Sequence, residues 1–160
     1  MVTTQRSYPE SQRAYPRPPK LRDPEYPRMT VLIVDDEKVV AESMAAIFRL
    51  SGYQSFTANS PAEALVLARE VRPQLLITDV VMPGETGIQL AIKITAELPT
   101  CKVLLMSGQA ETSNLLDEAE QQGYRFEILA KPVWPPDLLQ RAARIMGKES
   151  AASEAAAATD

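Results

Sequence analysis

Short apolar runs alternate with helically patterned segments along most of the chain. Five runs have strand length: Thr30–Val34, residues 53–58, Leu75–Asp79, residues 102–106 and residues 125–130. Short apolar runs bounded by turn signals read as buried parallel strands. The second run is more polar than the others, which predicts a sheet edge. Five strand–helix units predict a parallel sheet with helices on both faces, since crossovers between parallel strands are right-handed. All five strands then point their carboxyl ends at one edge, where open α/β sheets bind ligands.

The helices follow from spacing and capping. Residues 37–51 place Val40, Met44 and Ile47 on one face with Ala41, Ala45 and Phe48 beside them, and Gly52 is a natural stop. Ser60 and Glu63 form a capping box with Pro61 at the first helical position. That helix runs through Ala64, Ala68 and Val71 and ends before Pro73. Residues 86–98 form a third helix around Ile88 and Ile92, closed by Pro99. Residues 111–122 have few apolar anchors, mainly Leu115, Leu116 and Ala119, and Gly123 ends them. The last helix covers residues 135–146, turns Leu138, Leu139, Ala142 and Ile145 inward, and stops at Gly147.

The 160 residues allow one domain with a real core. Residues 1–28 hold six of the thirteen prolines and almost no aliphatic residues, so they are expected to be a disordered Pro/Arg-rich tail. Tyr8, Tyr15 and Tyr26 each precede a proline there. They belong to a solvated tail or, on a sharper reading, to a docking arm for an acidic or aromatic-lined partner. Residues 148–160 are alanine-rich with nothing to pack and are expected to fray. The folded domain is therefore set at residues 29–147.

Charge and composition exclude several functions. The tail carries +3 and the remaining residues −7, giving the net −4. An acidic body argues against nucleic-acid binding. No apolar run is long enough to cross a membrane. Cys101 is the only cysteine, which suits a reducing cytoplasm. The chain has no histidine, which removes His-based catalysis and the commonest metal ligand.

The strand ends carry the chemistry. The first ends in Asp35 and Asp36, the third in Asp79, the fourth in Ser107 and the fifth in Lys131. Asp79 alone is either a turn residue or the reactive group. The whole set, each member at the same end of a strand, points to one site. Three converging carboxylates invite a hard divalent cation such as Mg²⁺. A carboxylate oxygen of Asp79 can then attack a phosphoryl group, with Lys131 neutralising phosphoryl charge and Ser107 donating to a phosphoryl oxygen.

Over residues 29–147 the chain resembles a response-regulator receiver domain of two-component signalling. The matching motifs are Val34-Asp35-Asp36-Glu37, Thr78-Asp79-Val80-Val81-Met82-Pro83-Gly84, Met106-Ser107-Gly108 and Ala130-Lys131-Pro132. The resemblance implies a flavodoxin-like (βα)5 doubly wound sheet of strand order 2-1-3-4-5. It implies Asp79 as phosphoacceptor and Mg²⁺ held by Asp36 and Asp79, by Asp35 mainly through water, and by the backbone carbonyl of Val81. It implies Ser107 as switch hydroxyl, Lys131 as phosphate-binding cation, and a cis Lys131–Pro132 peptide. The donor would be a phosphohistidine on a histidine kinase or phosphotransfer protein, and the output a contact with a downstream protein.

Three positions stand out. Ile128 replaces the family's usual aromatic residue, with Phe126 at the same strand parity. Val81 and Gln109 occupy positions that tune phosphoryl lifetime in the family. Trp134 is expected to pack beneath the last helix; the other reading is a partner contact on the face of helix four, strand five and helix five. Two competing functions are weighed. One is an interaction module that never uses phosphate, which Ile128 mildly favours and the complete acidic, serine and lysine set opposes. The other is a haloacid-dehalogenase-type phosphohydrolase, which needs an aspartate where Val81 stands. A dinucleotide-binding domain is disfavoured, because no Gly-x-Gly-x-x-Gly follows the first strand.

Overall fold

The computed structural model describes residues 29–108 and 112–148. The tail expectations for residues 1–28 and 149–160, and the reading of Gln109, lie outside the described residues.

Five strands, β1 Thr30–Val34, β2 Gln54–Ala58, β3 Leu75–Asp79, β4 Lys102–Ser107 and β5 Glu127–Ala130, alternate with five helices. The helices are α1 Lys38–Leu50, α2 Pro61–Val71, α3 Gly87–Glu97, α4 Thr112–Gln121 and α5 Pro135–Ala143, and a π-helical turn, Arg144–Lys148, follows α5. All pairings are parallel and the sheet order is β2-β1-β3-β4-β5. This is the flavodoxin-like doubly wound sheet. β2 is at the edge, as its polarity predicts.

Alternation along the strands divides the core in two. Leu32, Val34, Leu76, Val103 and Leu105 face α2, α3 and α4. Val31, Ile33, Leu75, Ile77, Leu104 and Met106 face α1 and α5. Phe48 from α1 and Leu138 from α5 are fully buried in the second layer. Each such side chain stabilises the fold by about 1.5–3 kcal/mol. Because β1, β3 and β4 are buried on both faces, their apolar runs have no polar alternation to misread.

Caps position the loops of the site. Ser60 accepts from Glu63 N–H at 3.2 Å, while the Glu63 carboxylate reaches back to Asn59 N–H rather than to Ser60. Thr86 and Gln89 form a complete capping box at the start of α3. The α2 helix ends on Arg72 in the left-handed region, φ 47°, where Pro73 forbids continuation. The Lys131–Pro132 peptide is cis.

Three expectations change in detail. β5 begins at Glu127, two residues later than the sequence run suggests, and Phe126 precedes it. Phe126 and Ile128 nevertheless pack against the same side of the sheet. Trp134 does not pack beneath α5: it is 64% exposed. Its backbone, at φ −85° and ψ 124°, is extended at the helix cap, so the ring lies off the face that Leu138, Leu139 and Ala142 bury. Among the described residues no helix is long and apolar enough to cross a membrane.

Candidate functional site at the carboxyl edge

The strand order puts β1, β3, β4 and β5 side by side, so their last residues share one edge. Carboxylate oxygens of Asp35, Asp36 and Asp79 lie within 4.8 Å of one another. Asp35 follows β1 and is 2% exposed, Asp36 is exposed, and Asp79 ends β3 half-buried. Lys131 reaches this cluster from just beyond β5, its Nζ 2.7 Å from Asp79 Oδ2 and 3.7 Å from Asp35 Oδ2. It arrives there because its N–H donates to Ser107 O at 2.9 Å, which ties the end of β5 to the end of β4.

Backbone contacts aim Asp79. Val80 N–H donates to Met106 O at 3.0 Å, so the chain stays on the ladder one residue past the strand. Val81 N–H then donates to Asp79 Oδ1 at 3.3 Å. Val81 is 45% exposed on the loop that follows. Ser107 is buried at the end of β4, opposite Ala130 of β5. The structure thus gathers the carboxylates of Asp35, Asp36 and Asp79, pairs Lys131 with Asp79 and Asp35, and places Ser107 and Val81 on the adjoining strand end and loop.

The charges are only partly balanced. Burial pushes the Asp35 carboxyl above the usual carboxylate range, against the pull of the Glu37 N–H and Lys131, and the charges of Asp79 and Asp36 push it further. Burial alone would lower the Lys131 ammonium; the hydrogen bond it donates to Asp79 and the charges of Asp79, Asp35 and Glu37 outweigh it and hold it above its ordinary value. Asp35 Oδ1 accepts from Glu37 N–H at 2.9 Å, but Oδ2 is a buried oxygen with no hydrogen-bond partner among the described residues. An unsatisfied buried carboxylate oxygen is costly. One lysine against three carboxylates leaves room for a cation, and an all-oxygen donor set suits a hard one.

The Asn59 side chain also enters the site, with Nδ2 3.0 Å from Asp35 O. Sequence reasoning passed over it. The only available signal was its place at the end of β2, the strand neighbouring β1.

Known proteins share this architecture. The chain is 27% identical over 117 residues to the phosphate regulon transcriptional regulatory protein PhoB of Pseudomonas aeruginosa, a match covering 70% of this chain and 49% of that protein. It is 26% identical over 128 residues to the DNA-binding response regulator MtrA of Mycolicibacterium smegmatis, covering 79% and 55%. The chain thus spans about half the length of these relatives. Among solved structures, the chemotaxis protein CheY4 of Vibrio cholerae superposes with a TM-score of 0.66 at 26% identity, covering 74% of this chain and 99% of that one. The response regulator receiver domain family profile matches residues 31–143, a stretch that contains β2 to β5, all of β1 but Thr30, and every residue of the acidic cluster. The chain belongs to the response regulator receiver domain family, the phosphorylation-based signalling domain of two-component systems.

Proposed function

We propose that this chain is a phosphorylation-driven switch or relay that accepts a phosphoryl group from a phosphohistidine partner onto Asp79. The observation that carries this reading is the contact of Lys131 Nζ with Asp79 Oδ2 at 2.7 Å inside a cluster of three carboxylates. In the transfer, an Asp79 oxygen forms a bond to phosphorus as the phosphorus–nitrogen bond to the donor imidazole breaks. The electron pair of that bond leaves with the imidazole. Lys131 stays close enough to follow the charge on the phosphoryl oxygens, and Ser107 supplies a hydroxyl to one of them. Such fixed charges act where charge sits in the transition state.

Asp36 and Asp79 would hold Mg²⁺ directly, Asp35 through water, and Val81 through its carbonyl. When bound, the ion supplies charge neutralisation for the phosphoryl oxygens. The Asp35 oxygen that accepts no hydrogen bond among the described residues and the oxygen-only donor set fit that assignment. The product would change the surface around α4, β5 and α5 and thereby a contact with a downstream protein. α4 supports this role: Leu115 and Leu116 are only partly buried, and Ala119 is its one buried residue among those described. Trp134 stands exposed at the start of α5.

The test is an intact-mass measurement after incubation with a small phosphodonor and Mg²⁺. One phosphoryl group per chain is expected, and none for Asp79→Asn. An Asp79→Asn protein that still gains the mass would show a different nucleophile.

A further inference from the structure

A neutral side chain holds the acidic turn from outside. Asp35 leaves β1 with its N–H still bonded to Ala58 O, at 3.2 Å, at the end of β2. Its carbonyl no longer faces a strand, and Asn59 Nδ2 donates to it at 3.0 Å. That carbonyl belongs to the peptide unit joining Asp35 to Asp36. The unit is planar, so fixing its oxygen sets where Asp36 emerges relative to Asp35. Asn59 is restrained in turn. Its own N–H donates to Glu63 Oε2 at 3.2 Å, at the capped start of α2. One amide therefore ties the start of α2 to the turn that presents two of the three carboxylates.

We infer that Asn59 is a positioning residue for the acidic cluster. By fixing the Asp35–Asp36 peptide it sets the spacing of the two carboxylates, and through that spacing the affinity for a divalent cation. This inference rests on the metal reading of the site. Partners that hydrogen-bond metal-holding residues change metal affinity by about 10–100-fold when removed, because they fix ligand orientation. Asn59 acts on the backbone between two of those residues, so the lower end, about tenfold, is expected.

The experiment titrates MgCl₂ into the full chain by calorimetry, for wild type, Asn59→Leu and Asn59→Ala. Leucine keeps the shape of asparagine and lacks its donor; alanine removes the side chain. Amide chemical shifts of the metal-free proteins are recorded alongside. Both variants should bind Mg²⁺ about tenfold more weakly and shift the Asp36 and Glu37 amides without shifting that of Leu76, deep in β3. An Asn59→Leu protein with wild-type affinity overturns the inference, however far its melting temperature falls, since Asn59 would then only tie strand ends together. A wild-type protein that takes up no Mg²⁺ at millimolar concentration overturns the metal reading and the inference with it. Wild-type uptake matched by both variants overturns the inference alone.

Discussion

A Cβ added at Gly87 would collide with the carbonyl oxygen of Asp79 and lie 3.0 Å from Thr78 Oγ1. The first residue of α3 therefore packs directly against the backbone of the candidate phosphoacceptor, with Gly87 N–H donating to Val80 O at 2.9 Å. Gly87→Ala should cost about 1–3 kcal/mol, the usual range for overpacking, and should slow labelling of Asp79 by displacing it. A denaturant melt and a labelling time course check both. Wild-type values in both would mean that the two segments separate freely. Cys101 shows the opposite case, a reactive residue type made inert. It is 4% exposed, and burial pushes its thiol up to about 11. The folded state then holds its proton more tightly than the unfolded chain does. Whatever stability this group contributes is intact below pH 9 and declines as pH rises towards 11. Because the thiolate is the nucleophile, the folded protein should resist alkylation at pH 8 and react once denatured, read by intact mass. Rapid alkylation of the native protein would contradict the burial.

Element by element, the sequence was most legible where a strand is buried on both faces. β1, β3 and β4 read as apolar runs because all their residues but Lys102 and Asp79, at strand ends, are buried. Legibility fell at β5, where Glu127 and Ala130 are exposed and Ile128 and Leu129 only partly covered. A half-covered edge strand imposes no strict pattern, so its start was placed two residues early. Trp134 was misplaced because a residue at a helix cap has extended backbone and does not obey the helix's spacing. Ile128 shows what the aromatic exchange does. It pairs with Leu105 and packs on the sheet face that Tyr124 and Phe126 also cover, and those two rings stack at 5.9 Å. A β-branched side chain is stiff at χ1. With beryllofluoride as phosphoryl mimic, the amides of Ser107 and Gly108 should shift strongly while the Ile128 methyls move little. A rotamer change at Ile128 with Ser107 and Gly108 unmoved would reverse that account.

On the scale of the molecule, topology turns scattered residues into a site. Asp79 and Lys131 are 52 positions apart in sequence and 2.7 Å apart in space. The site could be read in advance because β–α alternation dictates that every strand ends at one edge. Asn59 escaped the reading because hydrogen-bonding a carbonyl needs no distinctive residue type or spacing. A fold that gathers three carboxylates against one lysine should be more stable with a cation. Mg²⁺ at ten times its dissociation constant stabilises by about 1.4 kcal/mol, which raises the melting temperature by a few degrees. Asp36→Ala should lose that rise, and a wild-type melting curve indifferent to millimolar Mg²⁺ would argue against a cation site. The central claim, that Asp79 carries the phosphoryl group, is tested most directly by trapping. An aspartyl phosphate is an acyl phosphate, and borohydride reduces it to homoserine. After treatment with a small phosphodonor and Mg²⁺ and then borohydride, peptide mapping should find homoserine in place of aspartate at position 79 and unmodified aspartate at 35 and 36. Homoserine at position 35 or 36, with Asp79 intact, would contradict the account.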